Sequence, residues 1–219
     1  DGSWQWLSDA TDDNIVMGPQ IGNSNNHIAS YNSMSTEASN QLQELLTCEW
    51  EFTRIKIETN FSNCSAFHYR SKLLPFVLQS RLDNVASDSN SDNNDDRYEQ
   101  ILALVSSELE MVQNAIFTEP DDQTPWWYHR FLLAWAALPT TTSSSSTDSD
   151  ARSNIELLYI ELLQNEKNGI QELVEAEEGH CKWGLLAMHS ILTALLLRLD
   201  HHDEQQDGLE QEAEECLDR

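Results

Sequence analysis

The sequence has few of the residues on which many self-contained catalytic sites depend. Its 219 residues include only seven glycines and four cysteines. It contains no glycine-rich phosphate loop, nucleophile elbow or paired-histidine metal motif. The cysteines are widely separated and form no Cys-x-x-Cys pair, which argues against a disulfide framework or a zinc site. We therefore expect reduced thiols, a cytoplasmic location, no catalytic residue and no metal bound by this chain.

Basic residues are also scarce. Lysine and arginine number 12 against 38 acidic residues, so the formal net charge is −26. Phosphate binding requires a positive surface that displaces counterions, and nucleic acid is therefore not expected as a partner. Anionic lipid is disfavoured for the same reason. A basic protein tail is the more natural electrostatic partner.

No apolar stretch is long enough to predict a membrane span. The most apolar run, residues 183–199, includes His189 and Arg198, whereas a span needs about 20 apolar residues. Alternating β patterns are nearly absent, and apolar residues recur instead at helical spacings of three and four. Pro75 should end or kink the helix that begins near Ala66. The sequence thus predicts an all-α protein with a buried helix near its C-terminal end.

Segments rich in Ser, Thr, Asn and Asp separate the helical regions. Such compositions cannot bury enough apolar surface to offset the entropy of ordering, so we expect disordered linkers. The predicted linkers are residues 8–40, 83–96 and 139–153. The predicted helical units are residues 41–82, 97–138 and 154–199. Residues 1–7 are a candidate end of a preceding unit, and residues 200–219 are interpreted as the start of a next helix, truncated at the end of the chain.

The first two units are related by an internal repeat. The same number of sequence positions separates Ile57 from Ile116 and Phe67 from Trp126. We call this separation the repeat offset. The predicted linker 83–96 lies between the aligned positions and therefore lengthens the repeat offset. Without this linker, the repeated unit has the length of a helical hairpin in an α-solenoid. An aromatic residue opens the second helix of each unit and is expected to pack between hairpins. These structural aromatic positions are Phe67, Trp126 and Trp183.

Two stretches resemble the alpha-subunit repeat of protein prenyltransferases. The core of that repeat is an asparagine, then an aromatic residue, and then an arginine three positions further. Here these positions are Asn63, Phe67 and Arg70. Phenylalanine replaces the usual tryptophan of the family, and Cys64 replaces its usual tyrosine. Residues 108–133 are similar to the later repeat of the Rab geranylgeranyl type in particular.

The resemblance implies a crescent of helical hairpins, an α-α superhelix, wrapped around a beta subunit. On this resemblance the units at 41–82 and 97–138 are alpha repeats. Zinc and the pocket for the isoprenoid diphosphate are expected on the beta subunit, and a Rab escort protein is expected to present the Rab GTPase. The chain would provide scaffold, because nothing in it matches the family's lysine and histidine motifs. It begins at Asp1 and stops inside a helical pattern, so we expect a fragment of a longer protein.

Two other functions remain open at this point. One is the alpha subunit shared by farnesyltransferase and type I geranylgeranyltransferase, which acts on CaaX tails. The other is a helical-repeat scaffold with no enzyme partner. The sequence does not distinguish these by composition, and only the stretch at 108–133 favours the Rab type.

Residues near the starts of the second helices form the candidate interface with a beta subunit. Asn63 and Asp122 are expected to accept hydrogen bonds from helix-end amides in the turns. Arg70 is expected to bind neighbouring turns or carbonyls, and Glu108 and Glu110 to lie on a solvated helix face. The candidate interface comprises Asn63, His68, Tyr69, Arg70, Asp122, Trp127, His129 and Arg130.

Overall fold

Six α-helices follow one another in the described part of the chain, which contains no strand. The computed structural model describes residues 36–86, 94–142 and 149–198, together with Ala213 and Cys216. The helices are α1 (Thr36–Thr59), α2 (Cys64–Ala86), α3 (Asn94–Thr118), α4 (Gln123–Thr142), α5 (Ser149–Ala176) and α6 (Lys182–Leu196). The all-α prediction is confirmed.

Consecutive helices pair as hairpins, and the hairpins stack on one another. The strongest packing joins α1 with α2, α3 with α4, and α5 with α6, and further contacts join neighbouring hairpins. The repeat offset relates the helix boundaries of the first two hairpins. The last residue of α1, Thr59, is separated by the repeat offset from the last residue of α3, Thr118. The first residues of α2 and α4, Cys64 and Gln123, are separated by the same offset. The internal repeat is therefore a repeat of helix boundaries.

Short polar turns determine where the second helices begin. The Asn63 side-chain Oδ1 accepts a hydrogen bond from the Ala66 amide at 3.1 Å. The Asp122 carboxylate accepts one from the Thr124 amide at 2.8 Å. Each side chain satisfies an amide that the first turn of a helix leaves without a partner, as predicted.

Large aromatic residues pack between the hairpins. Phe67 is completely buried, and its ring centroid lies 5.1 Å from that of Tyr128. Trp126 is buried and donates its indole N–H to the Pro120 carbonyl at 2.9 Å. Trp183 is half-buried and donates to the Asp121 carbonyl at 3.1 Å. Two turn carbonyls thus receive indole hydrogen bonds, one within a hairpin and one from the next hairpin.

A tight turn with two left-handed residues joins α5 to α6. Glu178 has φ 52° and Gly179 has φ 77°. The Gly179 amide donates to the Val174 carbonyl at 2.8 Å, and the Glu178 amide to the Glu175 carbonyl at 3.1 Å. This is the hydrogen-bond pattern of a Schellman motif, which satisfies carbonyls at the helix end.

The predicted buried helix near the C-terminal end is α6. Its buried residues recur at helical spacing: Gly184, Leu185, Met188, Ile191, Leu192 and Leu195. Across residues 36–86, 94–142 and 149–198, no helix combines the length and apolarity that crossing a bilayer requires.

Gly184 lies where α6 meets α5, and we predict that alanine there destabilises the protein by about 1–3 kcal/mol. A Cβ atom would lie 2.9 Å from both Cys181 Sγ and Val174 Cγ2, and both side chains are buried. The matched control is Gly169→Ala in α5, whose Cβ would have its nearest neighbour at 4.0 Å. That change should stabilise the protein by about 0.5–1 kcal/mol, because alanine is the better helix former. Urea unfolding of the two variants measures the difference, and an equal or greater stability of Gly184→Ala would contradict the prediction.

Helices extend into each of the predicted linkers. α1 begins inside the segment 8–40, α2 and α3 both enter the segment 83–96, and α4 and α5 both enter the segment 139–153. Once a packed helix exists, adding residues to it is far cheaper than nucleating a new one, so polar flanks join the helices. The remaining linker residues, the segment 1–7 and nearly all of 200–219 lie outside the described residues.

Pro75 does not end its helix, which was one of the two outcomes expected from the sequence. α2 continues through Pro75 to Ala86. An interior proline removes one helical hydrogen bond and costs about 3 kcal/mol. Buried residues on both sides, Leu74 before it and Val77 and Leu78 after it, anchor the two halves to the core.

Candidate functional site

Arg70 forms a buried ion pair with Glu108 across the boundary between the first two hairpins. The side chains are each 3% exposed. The guanidinium Nη2 donates to Glu108 Oε1 at 2.7 Å, and Nε donates to the other carboxylate oxygen. Nη1 donates to the Trp50 carbonyl at 2.7 Å and to Thr53 Oγ1 at 2.8 Å. The guanidinium also lies 3.6 Å from the centroid of the Trp50 ring, so the cation is bound both at its edge and on its face.

Tyr128 completes this cluster. Its hydroxyl donates to Glu108 Oε2 at 2.9 Å. Burial, followed by the negative charge of Glu108, raises the pKa of the Tyr128 hydroxyl well above its ordinary value. Tyr128 is therefore a neutral hydrogen-bond donor to the carboxylate, in addition to Arg70.

A second pair occupies the equivalent position one hairpin further along. His129 is the residue that corresponds to Arg70 at the repeat offset. Its Nε2 atom is 2.9 Å from Glu166 Oε2. Both side chains are buried. The Gln113 side-chain amide donates to Glu166 Oε1 at 3.1 Å. In both cases a basic residue on the second helix of one hairpin meets a glutamate on the first helix of the next.

These pairs position the hairpins and are closed to solvent. Removing two charges from water is costly, and the cost is offset only when geometry and hydrogen bonding are good. Arg70 and Glu108 satisfy this condition through the contacts given above. Arg70 and His129 therefore lie inside the array, and their side chains contact glutamates of this chain instead of an outer surface.

The expectation that Glu108 lies on a solvated helix face is wrong, because Glu108 is 2% exposed. It lies four residues from both Leu104 and Val112, so it shares the buried face of α3. Glu110, two residues further, is exposed as expected. Sequence reasoning also missed Glu166. The sequence contained an indication of both buried glutamates, because each lies among apolar residues on one face of its helix.

The other candidate interface residues divide between the turns and the outer side of the second helices. The two turns contact each other, since the Ser62 hydroxyl donates to the Asp122 carboxylate. Burial alone would raise the pKa of Asp122, but hydrogen bonds from Ser62 and Thr124 outweigh it and lower that pKa. Tyr69 is exposed, and partial desolvation, followed by the nearby Glu49, raises the pKa of its hydroxyl.

An exposed strip, which we call the second-helix surface, consists of His68, Trp127, Arg130 and Phe131. His68 and Arg130 are exposed, and the other two residues are half-buried. The His68 and Trp127 rings lie 6.5 Å apart, and Trp127 stacks on Phe131 at 6.1 Å. The structure thus brings side chains of α2 and α4 together in a surface that is aromatic and carries a cation. Contact of this surface with a beta subunit stays a prediction.

Among the described residues, no group of three or more His, Cys, Asp and Glu side chains could hold a metal ion. Cys181 is buried, and its thiol accepts a hydrogen bond from the Gly184 amide at 3.3 Å. Burial raises the pKa of that thiol, which favours the protonated form.

The stacked hairpins and the repeated pairing of a basic residue with a glutamate define a protein of the helical-repeat class, an α-α superhelix. Comparison with family models gives a match to the protein prenyltransferase alpha subunit repeat, over residues 46–76 and 105–136. Two stretches of the chain are thus similar to this repeat. The matched ranges contain both members of the Arg70–Glu108 pair.

Several curated proteins are similar to this chain. Geranylgeranyl transferase type-2 subunit alpha of Schizosaccharomyces pombe is 38% identical over 131 residues, which cover 59% of this chain and 33% of that protein. The protein of the same name from Rattus norvegicus is 43% identical over 88 residues, covering 40% of this chain and 14% of the relative. The one from Dictyostelium discoideum is 37% identical over 102 residues, covering 47% and 26%. The chain thus matches a third or less of the length of each of these relatives.

Proposed function

We propose that this chain is part of the alpha subunit of a heterodimeric protein geranylgeranyltransferase. The enzyme would transfer geranylgeranyl groups from geranylgeranyl diphosphate to C-terminal cysteines of Rab GTPases. The observation that carries the proposal is the pair of alpha-subunit repeats, at residues 46–76 and 105–136, in a chain similar to type-2 alpha subunits.

In this proposal the chain acts as scaffold. Arg70, Glu108 and His129 are titratable groups of the kind that a catalytic site would need, but they are buried between hairpins and hydrogen-bonded within the chain. The zinc ion that activates the acceptor thiolate and the diphosphate pocket would lie on the beta subunit. An escort protein would present the Rab GTPase, and the complex would be cytoplasmic.

The second-helix surface is the part of this chain that we assign to the beta subunit. Interface cores are enriched in aromatic residues and arginine, which is the composition of His68, Trp127, Arg130 and Phe131. The turn residues Asn63 and Asp122 border it in sequence, and Tyr69 follows His68. Arg70 and His129 would support the surface from inside by holding α2 and α4 in register.

The experiment that tests the proposal is a prenyl-transfer assay with the full-length gene product co-expressed with each candidate beta subunit of the source organism. Each pair receives labelled geranylgeranyl or farnesyl diphosphate. The acceptor is either a Rab with its escort protein or a CaaX peptide. Geranylgeranyl transfer confined to the escorted Rab is the expected result. Transfer to the CaaX peptide would instead assign the chain to the alpha subunit shared by the CaaX enzymes, and absence of pairing and transfer would leave a scaffold without an enzyme partner.

A charge reversal on the second-helix surface tests the assigned contact. Arg130→Glu should weaken co-purification with the beta subunit at least about tenfold. The substitution replaces a positive charge at the assigned contact with a negative one, and charges that face a partner determine how well two proteins associate. Lys56→Glu on α1 is the matched control, since it makes the same charge change at another exposed basic residue and should leave pairing unchanged. Equal pairing of both variants would show that the beta subunit binds elsewhere.

A further inference from the structure

Two equivalent junctions between hairpins bury different cations. The junction between the first two hairpins buries Arg70 against Glu108, and the junction between the second and third hairpins buries His129 against Glu166. Arginine stays protonated at every pH at which proteins fold, whereas histidine gains and loses its proton near neutral pH. The positive charge is therefore permanent at the first junction and can change at the second.

The Glu166 carboxylate depends on His129 for its counter-ion. Its Oε2 atom lies 2.9 Å from His129 Nε2, and its Oε1 atom accepts a hydrogen bond from the uncharged Gln113 amide at 3.1 Å. The side chains of His129 and Glu166 are 2% and 7% exposed, so the pair is shielded from water. Across residues 36–86, 94–142 and 149–198, no ion pair joins Glu166 to another basic side chain.

The helices around this pair bury no second side chain that titrates near neutral pH in the part of the chain that the structure describes. On α3, Gln113 is an amide, and the Glu108 carboxylate is bound by Arg70 of α2. The buried face of α6 consists of glycine and apolar residues. Burial raises the pKa of the Cys181 thiol, which precedes α6, and thereby favours its neutral form. His129 is thus the buried group whose charge depends on pH in this range.

Charged groups nearer the surface do not add a second buried titration. Arg130 on α4 and Lys167 on α5 are the charged sequence neighbours of the pair, and arginine and lysine keep their charge across neutral pH. The other described histidines are exposed or half-buried: His68, His180 and His189. Their titration is shared by every variant that keeps them, so it cancels in a comparison.

The remaining hydrogen bonds between the second and third hairpins are independent of pH near neutrality. The Trp183 indole donates to the Asp121 carbonyl at 3.1 Å, and the Tyr159 hydroxyl donates to the Leu133 carbonyl at 3.1 Å. Burial raises the pKa of the Tyr159 hydroxyl, which therefore keeps its proton. A pH-dependent change at this junction would therefore come from the pair of His129 and Glu166.

We propose that the His129–Glu166 pair is a pH-dependent contact that holds the third hairpin against the second. With a proton on both ring nitrogens, His129 is a cation and neutralises the buried carboxylate. Without that proton, Glu166 is a buried charge with no counter-ion, which is costly. The stabilisation is therefore present on the acidic side of neutrality and is lost as the pH rises. The α5–α6 hairpin then separates more readily, while Arg70 and Glu108 still hold the first two hairpins together.

Glu166→Gln in the complete chain tests this proposal, because glutamine keeps the shape of the side chain and removes the charge that needs His129. Thermal unfolding of both proteins is measured between about pH 6 and about pH 9. The Tm of the unmodified chain should fall over this range by roughly 4 °C more than that of the variant. Glu110→Gln, the same change at an exposed position of α3, should keep the pH dependence of the unmodified chain. Equal pH dependence of the unmodified chain and Glu166→Gln would overturn the proposal.

Hydrogen exchange of the unmodified chain provides a second test that needs no variant to fold. After correction for the intrinsic effect of pH, amides of α5 and α6 should exchange at least about tenfold faster at the alkaline end of the range. Amides of α2 and α3 at the Arg70–Glu108 junction should change much less. Unchanged exchange in α5 and α6, or an equal increase in all three hairpins, would show that His129 does not control the junction. Neither measurement depends on prenyl transfer, so this proposal and the proposed function can fail separately.

Discussion

Replacing Glu108 by glutamine should lower the free energy of unfolding by about 3–5 kcal/mol. The substitution keeps the shape of the side chain and removes its charge, which leaves the Arg70 guanidinium buried without a counter-ion. The Arg70 side chain is 3% exposed, so water cannot replace the lost partner. Urea unfolding followed by circular dichroism measures the change.

The matched control for this prediction is Glu110→Gln. Glu110 lies two residues further on α3 and is exposed, so the same chemical change should alter stability by less than about 0.5 kcal/mol. A double variant, Arg70→Leu with Glu108→Leu, should recover most of the lost stability, because removing both charges removes the desolvation cost. If Glu108→Gln and Glu110→Gln proved equally mild, the buried pair would not hold the two hairpins together.

Phe67→Ala should also be among the most destabilising single changes, at about 3–5 kcal/mol. The side chain is completely buried between the first two hairpins and contacts the Tyr128 ring, with the two centroids 5.1 Å apart. Truncation removes the transfer free energy of the ring and leaves a cavity next to the Arg70–Glu108 pair. The surrounding helices cannot collapse into it without moving that pair, so we expect the upper part of the range.

Phe76→Ala is the control for the aromatic substitution. It lies further along the same helix and is 57% exposed, so its truncation should cost less than about 1 kcal/mol in this chain. Thermal or urea unfolding of the two variants gives the comparison. Similar losses of unfolding free energy at both positions would mean that Phe67 contributes no more than an exposed aromatic residue. It would then not hold the two hairpins together.

Much of the fold could be predicted because local patterns determine it. Helical spacing of apolar residues, helix-capping side chains such as Asn63 and Asp122, and the internal repeat can all be read from short stretches of chain. The helix ends at Thr59 and Thr118 follow from them. The extension of helices into polar segments and through Pro75 could not be predicted in the same way. Both depend on packing of the neighbouring helical turns, which local composition does not report.

The candidate site shows more clearly which features the sequence could not predict. Sequence alone determined the class of the fold, the repeat, the aromatic positions and Arg70 as part of the repeat motif. Only the tertiary structure decided which acidic residue meets Arg70 and that His129 takes the equivalent place one hairpin further along. Glu108 and Glu110 are chemically identical and two positions apart, yet only one faces the preceding hairpin. A buried charge is tolerated only where the partner charge arrives, and that depends on how separate hairpins stack.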